Sequence, residues 1–459
     1  MHETVYLSSR GWRHFADDDA PVLGLSLPGP ARVAAHVLFV ACALLAVVVP
    51  GWRWTPALAL AALSLVAASF PKRLPNHFAV AWFMLLAFTA DRALGLSPEH
   101  RGGPGDPYAL RLVQQFTIIT YLAAGLHKLN RDYFDPRLSC GSGLLTEYAL
   151  RLGVSPRRMP RRLPVALSAG AVVAEFGAAA GLALGVRTVW VIAAAVVMHA
   201  IFGFAGHAQF SLIMLGGLLA FVDVESLSPL SLPGLCALLA GSGVVAATLG
   251  GFRGFRLRQV ALLDNVVVAG ACLWCLLTVL GPGAGEARGT WAVPFALAPY
   301  VTSCLVLLYL VNCLAPYLGL KFDFSMAMFS NLRPDRRSHF FLPMPRHGLM
   351  PRYFEISGLG GPGTDGRAGT AELLTELFPD VYTHRYSAGY VHAAVRRLRH
   401  RFEPGAEVYL RCVDSSTREV HRLPVGLPAG AAPGFLRGRE RFSLYPYALP
   451  LRPSLPLCC

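Results

Sequence analysis

Tyr121-Leu-Ala-Ala-Gly-Leu-His-Lys-Leu-Asn130 closes an apolar run that begins near Leu110. It sets a lysine, Lys128, at the end of a segment long enough to cross a bilayer. A cation at that depth costs free energy unless it reaches water or a partner. Helical spacing puts Gln114, Tyr121, Gly125 and Lys128 on or near one stripe. A stripe of that composition is not built to face lipid. It reads as the wall of a polar site inside a membrane protein. A lysine at a helix end snorkels to the interface by default. His127 and Asn130 beside it, with Tyr121 and Gly125 on its face, tip the reading toward function.

Composition agrees. The 459 residues are 54% hydrophobic and 15% charged, with a mean hydropathy of +0.47; soluble domains carry about 25% charged residues. The first 31 residues hold Arg10, Arg13 and three consecutive aspartates, so they do not read as a cleavable signal peptide. Apolar runs fall near 33–50, 54–70, 76–94, 110–128, 163–185, 187–205, 208–223, 231–250, 258–281 and 291–318. The expected fold is an all-α polytopic membrane helix bundle of about ten spans, occupying residues 32–320 after a polar segment at 1–31. Basic residues concentrate in alternate loops: Lys72 and Arg73, the Arg131–Arg162 stretch, and Arg253, Arg256 and Arg258. That asymmetry favours both chain ends on the cytoplasmic side.

After Leu320 the chain turns rich in Arg, His and Pro. Residues 321–459 read as a small extramembrane α+β domain. Helices are expected at 371–378 and 388–402, and a Gly/Pro-rich linker at 358–369. A strand at 407–413 pairs with one at 418–425. The net charge of +14, from 41 Lys+Arg against 27 Asp+Glu, fits basic loops against anionic lipid. No recognition motif accompanies it, so nucleic acid is not an expected partner. Six cysteines lie in apolar runs as small packing residues, and no metal framework is expected.

The apolar runs carry further polar residues. Glu175, near the middle of its span, must face a cavity, pair with a cation or stay protonated. His199 and His207 are eight apart, hence about 80° and about 12 Å apart on an ideal helix, too far to share a metal easily. Asp91 and Arg92 read as an interface pair, and Asp264 with Asn265 as a polar notch. Triads, HExxH, P-loop and GxGxxG patterns are not evident, so any mechanism must come from the bundle interior.

These residues carry a resemblance. Ala-Gly-Leu-His-Lys-Leu-Asn followed by Asp132-Tyr133-Phe134-Asp135 resembles the signature of the vitamin K-dependent γ-carboxylases. It also resembles that of their bacterial relatives with the horizontally transferred transmembrane domain. Glu175, Arg187, His199, His207-Ala-Gln-Phe-Ser-Leu and the Phe322–Arg333 segment follow in the family's order, so the likeness covers most of residues 76–340. The resemblance implies a membrane enzyme that couples oxygenation of a reduced quinone to proton abstraction and carboxylation of a peptide or protein substrate. The cofactor would be of vitamin K or menaquinone type, with CO2 and O2 as co-substrates and no metal. The lysine that deprotonates the hydroquinone corresponds to Lys128, with Glu175 and His199 as its catalytic company. Tyr121, Gly125, His127 and His207 would contact the cofactor. An amine removed from water loses its preference for the charged form, and the neutral form accepts a proton.

The chain also departs from the animal enzymes. His127 stands where they have a second lysine, the extramembrane domain is far smaller, and loop charge puts it on the opposite side. Two other readings stay open: a maturation factor for a secreted peptide without quinone chemistry, and a transporter or lipid-binding protein with Glu175 and Lys128 in a pathway. The Ala, Arg, Gly and Pro bias suggests a bacterial plasma membrane.

Overall fold

The computed structural model describes residues 29–48, 52, 54–68, 76–97, 108–136, 160, 162–185, 188–222, 259–280, 299–317, 353–361, 384–387, 407–415, 417–425 and 448–450, with isolated positions between them. The first part is helical: α1 (Gly29–Val48), α2 (Thr55–Ala68), α3 (Asn76–Leu94), α4 (Tyr108–Lys128), the single turn α5 (Arg131–Phe134), α6 (Leu163–Leu184), α7 (Thr188–Phe202), α8 (Ala208–Leu219), α9 (Gln259–Leu280) and α10 (Pro299–Leu314). Among the described residues, α3, α4 and α6 are long and apolar enough to cross a membrane. The chain is a membrane protein on that ground. Large apolar side chains on the outside of the bundle, such as Val173 and Trp190, suit a lipid surround rather than water.

Helix α4 is the most enclosed of the three long spans, and both its ends are fixed by side chains. At its start the Ser97 hydroxyl accepts from the Tyr108 N–H (2.9 Å) and donates to Asp91 Oδ2 (2.5 Å), which also accepts from the Ala109 N–H (3.3 Å). Two N–H groups that the helix cannot satisfy internally are thereby paired. This corrects the expected Asp91–Arg92 pair: adjacent helical residues point about 100° apart and do not face each other. At the other end Asn130 Nδ2 donates to the His127 carbonyl (2.8 Å), while its Oδ1 accepts from the Tyr133 N–H (2.9 Å). One asparagine therefore closes α4 and opens α5.

Side-chain pairs give the relative directions. Tyr108 meets Thr302, the Thr120 hydroxyl meets Tyr309 Oη (2.6 Å), and Tyr317 Oη donates to the Leu126 carbonyl (3.3 Å). Helices α4 and α10 therefore run parallel. Gln114 Nε2 donates to the Ala220 carbonyl (2.7 Å), and Thr117 packs on Gly217, so α8 runs antiparallel to α4. Phe83, Phe116 and Tyr309 fill the space between α3, α4 and α10 with edge-on ring contacts.

The runs at 187–205 and 208–223, read as two spans, form α7 and α8 with only 15 and 12 residues. They meet at a π-turn, Gly203–His207, and His207 leaves helical geometry at φ −113°, ψ 39°. The rings of His199 and Phe210 lie 5.7 Å apart; a straight helix would separate residues eleven apart by about 16 Å. The chain turns a sharp corner there, so the ideal-helix spacing of His199 and His207 does not apply. The run at 231–250, the 1–28 segment and the Phe322–Arg333 motif lie outside the described residues, as do the side chains of Asp264 and Asn265.

The C-terminal part holds β1 (Tyr353–Gly360), β2 (His384–Ser387), β3 (Tyr409–Asp414), β4 (Val420–Pro424) and β5 (Ala448–Pro450), in the order β4-β3-β1-β2-β5 with every neighbour antiparallel. The expected pairing is present as β3 with β4, Val413 opposite Val420. Phe354, Leu410, Cys412 and Leu423 are buried on one face, with Leu374, Val391, Ala394 and Leu398 in the same core. The expected helices at 371–378 and 388–402 fall largely outside the described residues. The linker expected from 358 is corrected, because Gly358 and Gly360 belong to β1. A bulge between Ile356 and Gly358 takes up the glycine, and a Cβ on Gly360 would lie 2.6 Å from the Tyr409 ring. Just past the strand, Gly361 has φ +131°, and a Cβ there would sit 2.1 Å from the Glu407 carbonyl oxygen. Gly361→Ala is expected to cost about 2–3 kcal/mol, as strained backbone positions do, and to expose the sheet alone. Limited proteolysis of the full chain should then remove the C-terminal part while the helical part stays intact.

Candidate functional site

The centre of the bundle is an ion pair. Lys128 Nζ lies 2.7 Å from Glu175 Oε1 and 2.9 Å from Oε2, with both side chains almost fully buried. Nζ also lies 3.4 Å from the Ala124 carbonyl, one turn back along α4. The ammonium is thus folded toward the interior of the span and not out past its end. That direction follows the tilt of helical side chains toward the N-terminus, and here a carboxylate fixes it. Glu175 sits near the middle of α6, so the end of α4 meets its neighbour about halfway along that helix. The chain beyond Lys128 shields the pair: Asn130, Asp132 and Tyr133 are buried, and the Ser139 and Ser168 hydroxyls join across 3.1 Å. An ammonium and a carboxylate in such contact can share one proton, becoming amine and acid without changing net charge.

A second polar pair lies one helix over. Tyr121 Oη is 2.7 Å from His199 Nε2, and both residues are buried. Tyr121 is two turns before Lys128, so α4 presents both pairs on one side. Phe202 and Phe210 surround the imidazole. Its Nδ1 has no hydrogen-bond partner among the described residues. Tyr121→Phe should leave Nε2 in the same condition and cost about 1–3 kcal/mol. A midpoint shift in detergent unfolding, absent from the His199→Phe background, measures it.

The other residues singled out in the sequence divide. Gly125 is a contact between helices: a Cβ there would lie 3.2 Å from the Phe176 ring. His127 is fully buried with its ring 5.2 Å from that of Tyr317, so it faces α10 and not the ion pair. His207 is half-buried at the corner where α8 begins. Arg187 lies outside the described residues. Gln114, on the Lys128 stripe, ties α4 to the end of α8. The sequence alone does not point to Phe176 or Tyr317; each sits in an apolar run where its type carries no cost that would draw notice. The glycines in Gly203-Phe-Ala-Gly206 were a usable signal for the corner.

The fold and these pairs define a helical membrane protein with an ion pair and a tyrosine–histidine pair in its interior. No family model, no curated protein and no solved structure matches the chain.

Proposed function

We propose that this is an integral membrane enzyme of about ten spans, resembling the γ-glutamyl carboxylases, with Lys128 as its base. It would reside in a bacterial plasma membrane. The observation that carries the reading is the inward-turned Lys128 ammonium held by both oxygens of Glu175. A lysine kept only for anchoring would reach for headgroups. A lysine that passes its proton to a fixed carboxylate is restored as an amine within the same contact. The donor set suits a reduced quinone: buried nitrogen and hydroxyl groups on an otherwise apolar wall. When bound, such a quinone supplies the reducing equivalents for oxygen chemistry. With the pair as amine and acid, Lys128 would take a proton from a ring hydroxyl, leaving an ammonium opposite the ring oxyanion, while Glu175 would hold the amine in place and Tyr121, steadied by His199, would orient a ring oxygen. The substrate would be a peptide or protein.

A second reading has an observation of its own. The ion pair is nearly sealed, which also suits a clamp between α4 and α6 in a peptide-maturation factor without quinone chemistry. Purified protein incubated with a reduced menaquinone, oxygen and labelled CO2 separates the two. The enzyme reading expects label in an acceptor peptide, or quinone oxidation, that vanishes in the double variant Lys128→Met with Glu175→Leu. Turnover unchanged in that variant, or none in the wild type, favours the clamp.

A further inference from the structure

The α7–α8 corner contains polar groups that the proposed chemistry does not use. His199 Nδ1 and Ser211 Oγ are both buried without a hydrogen-bond partner among the described residues, at 1% and 0% residue exposure. They belong to one place. Gly203 is one turn after His199, and a Cβ on it would lie 3.4 Å from Ser211 Oγ. Phe210, next to Ser211, packs its ring on that of His199. The α9 side is closed by Val268, whose Cγ1 would be 2.5 Å from the same Cβ. A π-turn also interrupts the regular carbonyl ladder, and water commonly enters such breaks. An unpaired imidazole nitrogen and an unpaired hydroxyl supply two polar partners, within the range of about two to four that a buried water finds.

We infer that the corner binds one fixed water bridging His199 Nδ1 and Ser211 Oγ, which extends the Tyr121–His199 contact into a continuous hydrogen-bond chain. The Tyr121 hydroxyl donates to Nε2 and the Nδ1–H donates to the water, so every group stays neutral and no proton is transferred. Ser211 is a positioning residue that holds the water. The inference rests on the corner alone, and its test needs no enzymatic turnover, so it can fail or succeed independently of the carboxylase-like reading.

The test is nitrogen NMR on full-length protein in lipid bilayers with 15N-labelled histidine, His199 being assigned by its loss in His199→Gln. The wild type should exchange its His199 ring proton with deuterated solvent at least about tenfold faster than Ser211→Ala, as expected when a bridging water is removed. Equal rates in the two proteins would overturn the bridging water. A high-resolution density map gives a second measurement. A single peak within hydrogen-bond distance of both Nδ1 and Oγ supports the water. A dry corner, an Nδ1 bonded to a backbone carbonyl, or a larger molecule there sinks it.

Discussion

Lys128→Ala is expected to destabilise the helical part by about 3–5 kcal/mol, because it leaves the Glu175 carboxylate buried without its cation. Alanine also removes the ammonium's approach to Ala124, so nothing among the described residues replaces the lost contacts at 2.7 and 2.9 Å. Loss of function in that variant alone is therefore ambiguous. The informative protein is the double variant Lys128→Met with Glu175→Leu. Apolar residues of similar volume in place of a buried pair are often neutral or stabilising. The double variant should unfold near the wild-type midpoint in denaturant titrations while remaining inactive in the quinone assay. Recovery of stability without activity means the pair is present for chemistry. Recovery of both returns the pair to a clamp role. A loss below about 1 kcal/mol in the single variant would mean the ammonium is solvated in the manner of a surface pair.

The parts of the site legible in the sequence are those that carry a cost. Lys128, Glu175, Tyr121 and His199 stand out because each puts a polar group into an apolar run, where it demands a partner. The demand was readable, but the pairing was not: nothing in linear spacing says that a residue at the end of α4 meets one at the middle of α6. That meeting depends on α4 ending beside the middle of α6, where Asn130 closes it. Gly125 and His127 illustrate the opposite error. They share the segment with Lys128, yet one serves as a seat for Phe176 and the other turns to Tyr317. Among the described residues, helix positions were visible from apolar length alone. The α7–α8 corner was not, because hydropathy records depth and is blind to a change of direction. Only the end of β1, Gly358 to Gly360, falls in the expected linker, because its glycines answer to close packing against Tyr409 and to a bulge, not to freedom of the chain.

The approach of α4 to α6 at Gly125 sets the reach of the ion pair, and this gives the second large expected effect. A Cβ at Gly125 would lie 3.2–3.3 Å from three atoms of the Phe176 ring. Alanine there asks the ring to shift by a few tenths of an ångström. Leucine adds three more carbons and should cost about 1–3 kcal/mol by overpacking. The consequence extends past stability. Phe176 is the immediate neighbour of Glu175, so forcing α6 away from α4 lengthens the contact to Lys128 that both carboxylate oxygens now make. Gly125→Leu should therefore abolish Lys128-dependent turnover, whereas Gly125→Ala retains most of it. Adding Phe176→Ala to Gly125→Leu should recover both stability and turnover, by vacating the volume that leucine needs. The double-mutant cycle measures the coupling directly. If Gly125→Leu is as stable and active as the wild type, the close approach of the two helices is not what holds the pair together. A turnover loss that Phe176→Ala does not relieve would instead place Gly125 in contact with the substrate or cofactor itself.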